Sequence, residues 1–291
     1  MVHVFYNPLS DNQKGKRNAE KLSDTFPGEI IDYADITAVD DIYEKITSLD
    51  EADTVVISGG DGTLSRFVNE VGERRFERPI YFYPSGSGND FFHDVRDNAE
   101  NGMVRLNEYI ENLPILSING KDYRFLNGVG YGLDGYCCER CNTLSQKNPQ
   151  KKKNYTLIAL DALLFKYKPT NAKITVDGVV HNYTKVLMAP TMNGRYFGGG
   201  MKIAPDRDRL RASEDVSVIV THGLSKLKII QLFPTIFKGK HVKYTKYIDV
   251  LTGKNITIEY DRPAPLQIDG ENMQSVDICH ISVAKVGASI E

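Results

Sequence analysis

The sequence predicts an α/β domain followed by a β-rich domain, and three observations carry that expectation. In the first part of the chain, short apolar runs alternate with polar stretches of helical period. Beyond Leu113-Pro114 the pattern changes to strand-like runs separated by Gly-, Pro- and Asn-rich turns. Two glycine-rich loops, each directly after an apolar run, fall in the first part. The domains are accordingly set at residues 1–114 and 115–291.

The elements follow in order. Residues 2–6 read as a strand, and residues 14–26 as a helix around Ala19, Leu22 and Phe26 that stops at Pro27-Gly28. Residues 29–33 are a second strand, and Ile42, Ile46 and Leu49 mark a helical stripe. Residues 54–58 are a third strand. Leu64, Phe67, Val68 and Val71 then repeat at i, i+3, i+4 and i+7, the apolar face of an amphipathic helix. Residues 79–83 make a fourth strand, and the alternation implies a parallel sheet covered on both faces. In the second part, residues 173–179, 184–189, 216–220, 255–260 and 278–283 read as strands, with one helix at residues 155–167.

Composition narrows the function. The chain has 291 residues, 41% hydrophobic and 25% charged, which excludes a disordered chain. A net charge of −2 supplies no global basic field, and no nucleic-acid motif is present, so no nucleic-acid partner is expected. No apolar run reaches the ~18 residues of a membrane span, and residues 1–10 lack the pattern of a signal peptide. The expectation is a cytoplasmic protein. Cys137, Cys138, Cys141 and Cys279 lack zinc-ligand spacing and read as free thiols in a reducing compartment.

The two loops carry the chemistry. In the first, Gly59, Gly60 and Gly62 let the backbone approach an anion, and Thr63 stands where the next helix begins. Asp61, inside this loop, would repel a bare phosphate, so its presence suggests Mg²⁺ between carboxylate and phosphates. The bland alternative is a surface turn. In the second loop, Gly86, Ser87 and Gly88 can wrap a nucleotide, and Asn89 and Asp90 suit a helix N-cap. Neither loop has the spacing of the familiar lysine-containing phosphate loop or of the dinucleotide fingerprint.

In the order Tyr6-Asn7-Pro8-Leu9-Ser10, Gly59 to Thr63, Pro84 to Phe91, Gly198-Gly199-Gly200 with Ile203-Ala204-Pro205, Gly239 with His241, and Asp269-Gly270-Glu271, the strings span nearly the whole chain. Together they resemble the motifs of the diacylglycerol-kinase catalytic family, which includes sphingosine, ceramide and bacterial phospholipid kinases. The resemblance implies a phosphofructokinase-like α/β nucleotide domain, a β-sandwich-like lipid domain and an active site in the cleft between them. It implies ATP and Mg²⁺ as cofactors and a lipid as acceptor, met peripherally at the membrane surface. It places Asn7 and Ser10 near the nucleotide and makes Glu271 the general base. A carboxylate suits that role because it accepts the alcohol's proton as the bond to phosphorus forms. A solvated hairpin turn at Asp269-Gly270 is the plain alternative.

Three departures stand out. The family's second metal is held by an Asp-Gly pair a few residues after the Ala-Pro string; here the candidate is Asp215, further along and without its glycine, helped by carbonyls of Ala212 and Ser217. Ser117 stands where many bacterial members carry an aspartate, and Asp11 replaces the glycine after the Asn-Pro motif. A basic patch around Phe233, Ile236 and Phe237, with Lys238, Lys240, His241, Lys243 and Lys246, and Lys151 to Lys153, is expected either to touch anionic headgroups or to be a solvated face. A kinase for a soluble acceptor such as NAD, and a non-catalytic nucleotide- or lipid-binding relative, remain alternatives; a homodimer is left open.

Overall fold

A computed structural model describes residues 1–147, 161, 166–210 and 213–283. The expected helix at 155–167 falls outside these residues except for Asp161, Lys166 and Tyr167, as do Lys151 to Lys153 and Ala212. The chain divides into two compact units, Met1–Leu113 and Pro114–Glu291.

The first unit is built on a five-stranded sheet of β1 (Val2–Tyr6), β2 (Ile31–Asp35), β3 (Thr54–Gly59), β4 (Ile80–Pro84) and β5 (Val104–Arg105). Its strand order is β2-β1-β3-β4-β5, with the first four parallel and β5 antiparallel to β4. Parallel strands must be buried on both faces, which is why Val55, Val56 and Ile57 are consecutive and all inaccessible. The stripe Leu64, Phe67, Val68 and Val71 lies on the helix Asp61–Val71 and is buried, as the period requires. The two-residue β5 had no legible signal: it is shorter than any pattern window.

The second unit holds a ten-stranded sheet: β6 (Ile115–Ile118), β7 (Lys121–Arg124), β8 (Gly128–Tyr131), β9 (Thr170–Val176), β10 (Val179–Met188), β11 (Thr191–Met192), β12 (Val216–His222), β13 (Ile248–Gly253), β14 (Asn255–Ile268) and β15 (Glu271–Ser282). β9 pairs with both β10 and β14, which folds one end of the path back onto its middle around one core. Tyr131, Phe125, Ile174, Val218, Leu266 and Cys279 lie at the centre of that core. β14 and β15 are much longer than expected because their distal halves carry polar and proline residues, which hide a strand period. A second apolar cluster gathers Leu133, Cys137, Met188, Phe197, Met201 and Ile229.

Candidate functional site

In the first unit, β1, β3 and β4 are neighbours and all run the same way, so the loops after them share one edge of the sheet. Asn7 ends the first strand's hydrogen bonding by donating its amide to Ser58 O at 3.2 Å. Its side chain donates to Thr63 Oγ1 at 3.0 Å and accepts from Leu9 N at 2.9 Å. Ser10 Oγ donates to Asn7 O at 2.9 Å. Asn7, Ser10 and Thr63 are thereby brought together.

The two glycine loops interlock through backbone. Ser85 N and Gly86 N both donate to Gly59 O, at 2.8 and 3.0 Å. A Cβ on Gly86 would stand 2.4 Å from Gly60 Cα, so no other residue fits without moving a loop. Ser58 Oγ donates to Ser85 Oγ at 3.0 Å in the buried floor beneath them.

Asp61 has a role the sequence did not disclose. Its two carboxylate oxygens accept from Asp90 N and Phe91 N, each at 2.9 Å, and so cap the helix Asp90–Val95 from the other loop. The expected caps do something else: Asn89 sits at φ 54° and donates to Gly86 O at 2.9 Å, while Asp90 is buried. No side chain caps the helix Asp61–Val71, where Gly60 holds the N-cap position. That helix start, next to Gly62, is the anion-favouring end of a dipole. Ser87, expected to meet a phosphate, donates to Asp11 Oδ1 at 3.0 Å, and Asn18 donates to Asp11 Oδ2 at 3.2 Å. Gly88 lies in the same loop, between Ser87 and Asn89. Asn18, Ser58 and Ser85 were missed, because a lone polar residue in a helix or strand end carries no local signature.

In the second unit, Asp269 (φ 47°) and Gly270 (φ 91°) form the two-residue turn between β14 and β15, with Ile268 paired to Glu271. Asp269 is buried and its carboxylate accepts from Leu126 N, Asn127 N and Gly128 N at 2.7, 2.7 and 3.0 Å. The turn is therefore anchored, and Glu271 beside it is exposed. Gln267 adds a second clamp: its Nε2 donates to Asp134 Oδ2 and its Oε1 accepts from Gly270 N, both at 2.6 Å. Cys138 Sγ donates to Gly270 O at 2.9 Å.

The helix Leu133–Lys147 thus faces two ways. Cys138 meets the turn, whereas Asp134 and the adjacent Cys137 line an apolar pocket. Leu187, Met188, Phe197, Ile229, Leu232 and Phe233 are among its other walls. His241 closes part of it, fully buried, with Nε2–H donating to Ile203 O at 2.9 Å. A carbonyl only accepts, so the proton is on Nε2, while buried Nδ1 and Thr221 Oγ1 have no hydrogen-bond partner among the described residues. Burial holds the His241 pKa below its ordinary value. Burial also pushes the Cys138 and Cys279 thiols up to about 12, consistent with inert thiols.

The expectation of a second metal at Asp215 needs revision. Asp215 is not open to a cation: Arg207, itself buried, pairs with its Oδ1 at 2.6 Å, and Ser213 donates to its Oδ2 at 2.6 Å. A guanidinium already neutralises that carboxylate, so the residues do not fit a second metal. No group of three or more His, Cys, Asp or Glu side chains among the described residues is placed to hold one. Ser117 donates to Asp122 Oδ1 at 2.6 Å, so a carboxylate does stand beside this position, supplied by the neighbouring strand. Phe233 and Ile236 of the expected basic patch turn inward to the cavity, and His241 is buried.

Residues 1–113 match the diacylglycerol kinase catalytic domain, and residues 127–284 match the YegS C-terminal NAD kinase beta sandwich-like domain. A diacylglycerol kinase of Mycobacterium tuberculosis is 27% identical over 214 residues, 71% of this chain and 67% of that protein. One from Bacillus subtilis is 23% identical over 284 residues, covering 93% and 89%. The crystal structure of a diacylglycerol kinase from Bacillus anthracis superposes with a TM-score of 0.61 at 20% identity, covering 97% of this chain and 92% of the other, which speaks to fold.

Proposed function

The chain belongs to the diacylglycerol kinase family, whose members phosphorylate an alcohol, and we propose that this one is an ATP-dependent lipid kinase. The observation that carries the lipid acceptor is the apolar lining of this pocket, where Leu187, Met188, Phe197, Leu232 and Phe233 offer an acyl chain a surface away from water. The helix lining it also hydrogen-bonds the turn that holds Glu271.

The nucleotide reading rests on the interlocked loops. The uncapped start of helix Asp61–Val71 offers backbone N–H groups to the phosphates. Asp61 is a hard-oxygen ligand held at the loops by two amides, a donor type that fits a Mg²⁺ shared with phosphate oxygens. When bound, Mg²⁺ would neutralise charge on the transferring phosphoryl group. Asn7, Ser10, Thr63 and Asn89 keep the loops in register for the nucleotide.

Glu271 is the assigned general base. As the acceptor oxygen bonds to the γ-phosphorus, the bond to the bridging oxygen of ADP breaks and the hydroxyl proton passes to the Glu271 carboxylate. Its anchored turn means the carboxylate is presented on rigid backbone while staying accessible. Labelled ATP incubated with a mixed-lipid extract tests the whole reading. Wild type should yield one labelled lipid, and Glu271→Gln should retain ATP binding while losing about 10²–10⁴-fold in turnover. Labelled NAD instead of lipid would move the acceptor to the soluble class, and ATP binding with no product would make the chain a binding relative.

A further inference from the structure

The helix Lys226–Ile236 is apolar on two faces. Its inner face buries Ile229 and Leu232 and, with Phe233 and Ile236, walls the cavity. Its outer face presents Leu227, 69% exposed, and Ile230, 50% exposed, with Pro234 exposed and Phe237 at the C-cap 39% exposed. Spacings of three, four and three place these four on one helical stripe. A stripe of large apolar side chains in water is not explained by folding, which buries the opposite side.

The surroundings are cationic. Residues 223–247 carry Lys226, Lys228, Lys238, Lys240, Lys243 and Lys246 and no acidic residue, in a chain whose net charge is −2. Lys228 lies 5.3 Å from the ring centre of Tyr244, which is itself 40% exposed. Apolar side chains with an aromatic ring and flanking ammonium groups are the composition of an element lying in a bilayer interface.

We propose that this outer face docks on an anionic lipid bilayer, with Leu227, Ile230 and Phe237 entering the interface and the lysines meeting headgroups. Charge complementarity selects an anionic lipid surface, since every charged side chain in residues 223–247 is a lysine. Continuity does so too: the inner face of the same helix walls the cavity assigned above to the lipid, and this part of the argument rests on that assignment. One helix then separates bilayer from cavity, so docking would put the cavity wall at the surface where its ligand resides.

Co-sedimentation with phosphatidylglycerol–phosphatidylcholine vesicles, against phosphatidylcholine alone, tests the face without needing turnover. The full chain should bind the anionic vesicles, and added salt should weaken that binding because exposed charges are screened. Leu227→Gln with Ile230→Gln should lower binding at least about tenfold with an unchanged thermal midpoint, each lost apolar contact being worth a sizeable factor. Lys238→Gln with Lys240→Gln should weaken it and flatten its salt dependence. Equal binding by the apolar double variant would overturn the proposal, as would absence of wild-type binding. So would a vesicle-free dimer that the double variant makes monomeric, since a second copy would then cover the stripe. A parallel assay in detergent micelles separates this from the lipid reading. Labelled lipid without vesicle binding removes the docking face and keeps the acceptor; vesicle binding without labelled lipid does the reverse.

Discussion

The two units build their candidate functional turns by opposite means. In the first, loops after β3 and β4 interlock through backbone, with Gly60 against Gly86 and Gly59 O taking two amides. In the second, the turn at Asp269-Gly270 is held by buried side chains: Asp269 on three amides, and Gln267 linking Asp134 to Gly270. The first arrangement leaves helix-start N–H groups for an anion, which suits a ligand recognised by its charge. The second spends its polar groups on itself and leaves one exposed carboxylate and a nearby apolar cavity, which suits an acceptor recognised by shape.

Substitutions should separate the two kinds of support. Asp269→Ala should have the largest effect, about 3–5 kcal/mol measured by urea unfolding, because it strands three buried amides. A loss under ~1 kcal/mol would mean the side-chain anchor is dispensable. Arg207→Met comes next, at about 3 kcal/mol, since it leaves the Asp215 carboxylate largely buried beside Ser213 without its cation. Magnesium should not restore its thermal midpoint; full restoration would revive a second metal site.

Gly86→Ala should cost about 1–3 kcal/mol and weaken nucleotide binding, because the added methyl meets Gly60 at 2.4 Å. Wild-type affinity in that variant would argue that the loops are not interlocked in solution. Asp61→Asn keeps one acceptor oxygen and so leaves one of the two helix amides unpaired, for about 1 kcal/mol. Its nucleotide affinity should fall by more than this stability loss explains if the carboxylate serves a metal.

The smallest effect is a pH dependence from the cavity wall. His241 has a folded pKa below its ordinary 6.5, so the unfolded chain binds the proton more readily. Its stabilising contribution is present above pH 6.5 and is lost as pH falls through the folded value. The thermal midpoint of wild type should therefore drop on acidification more than that of His241→Gln, and parallel curves would show that His241 is not held neutral.

Much of this was legible before the fold was known. The apolar periods of residues 54–58 and of Leu64, Phe67, Val68 and Val71 mark their elements, because burial on a strand or helix leaves a period of its own. The glycine loops were readable for a related reason: close backbone approach demands a residue without a side chain. The texture of the sequence changes near Leu113, and the compact units divide at Leu113 and Pro114. The extent of β14 and β15 was not readable, since bulges and edge residues interrupt their alternation.

By itself, then, the sequence determined the four parallel strands of the first unit, the helix Asp61–Val71 and the residue types of both candidate turns, since these follow from local backbone requirements. Only the tertiary structure decided what those side chains touch. Asp61 caps a helix 29 residues away, Arg207 takes the place expected for a metal beside Asp215, and Phe233 faces a cavity while Leu227 faces solvent. A hydrogen-bond partner or a cavity wall is set by where distant segments pack, and packing distance has no period along the chain.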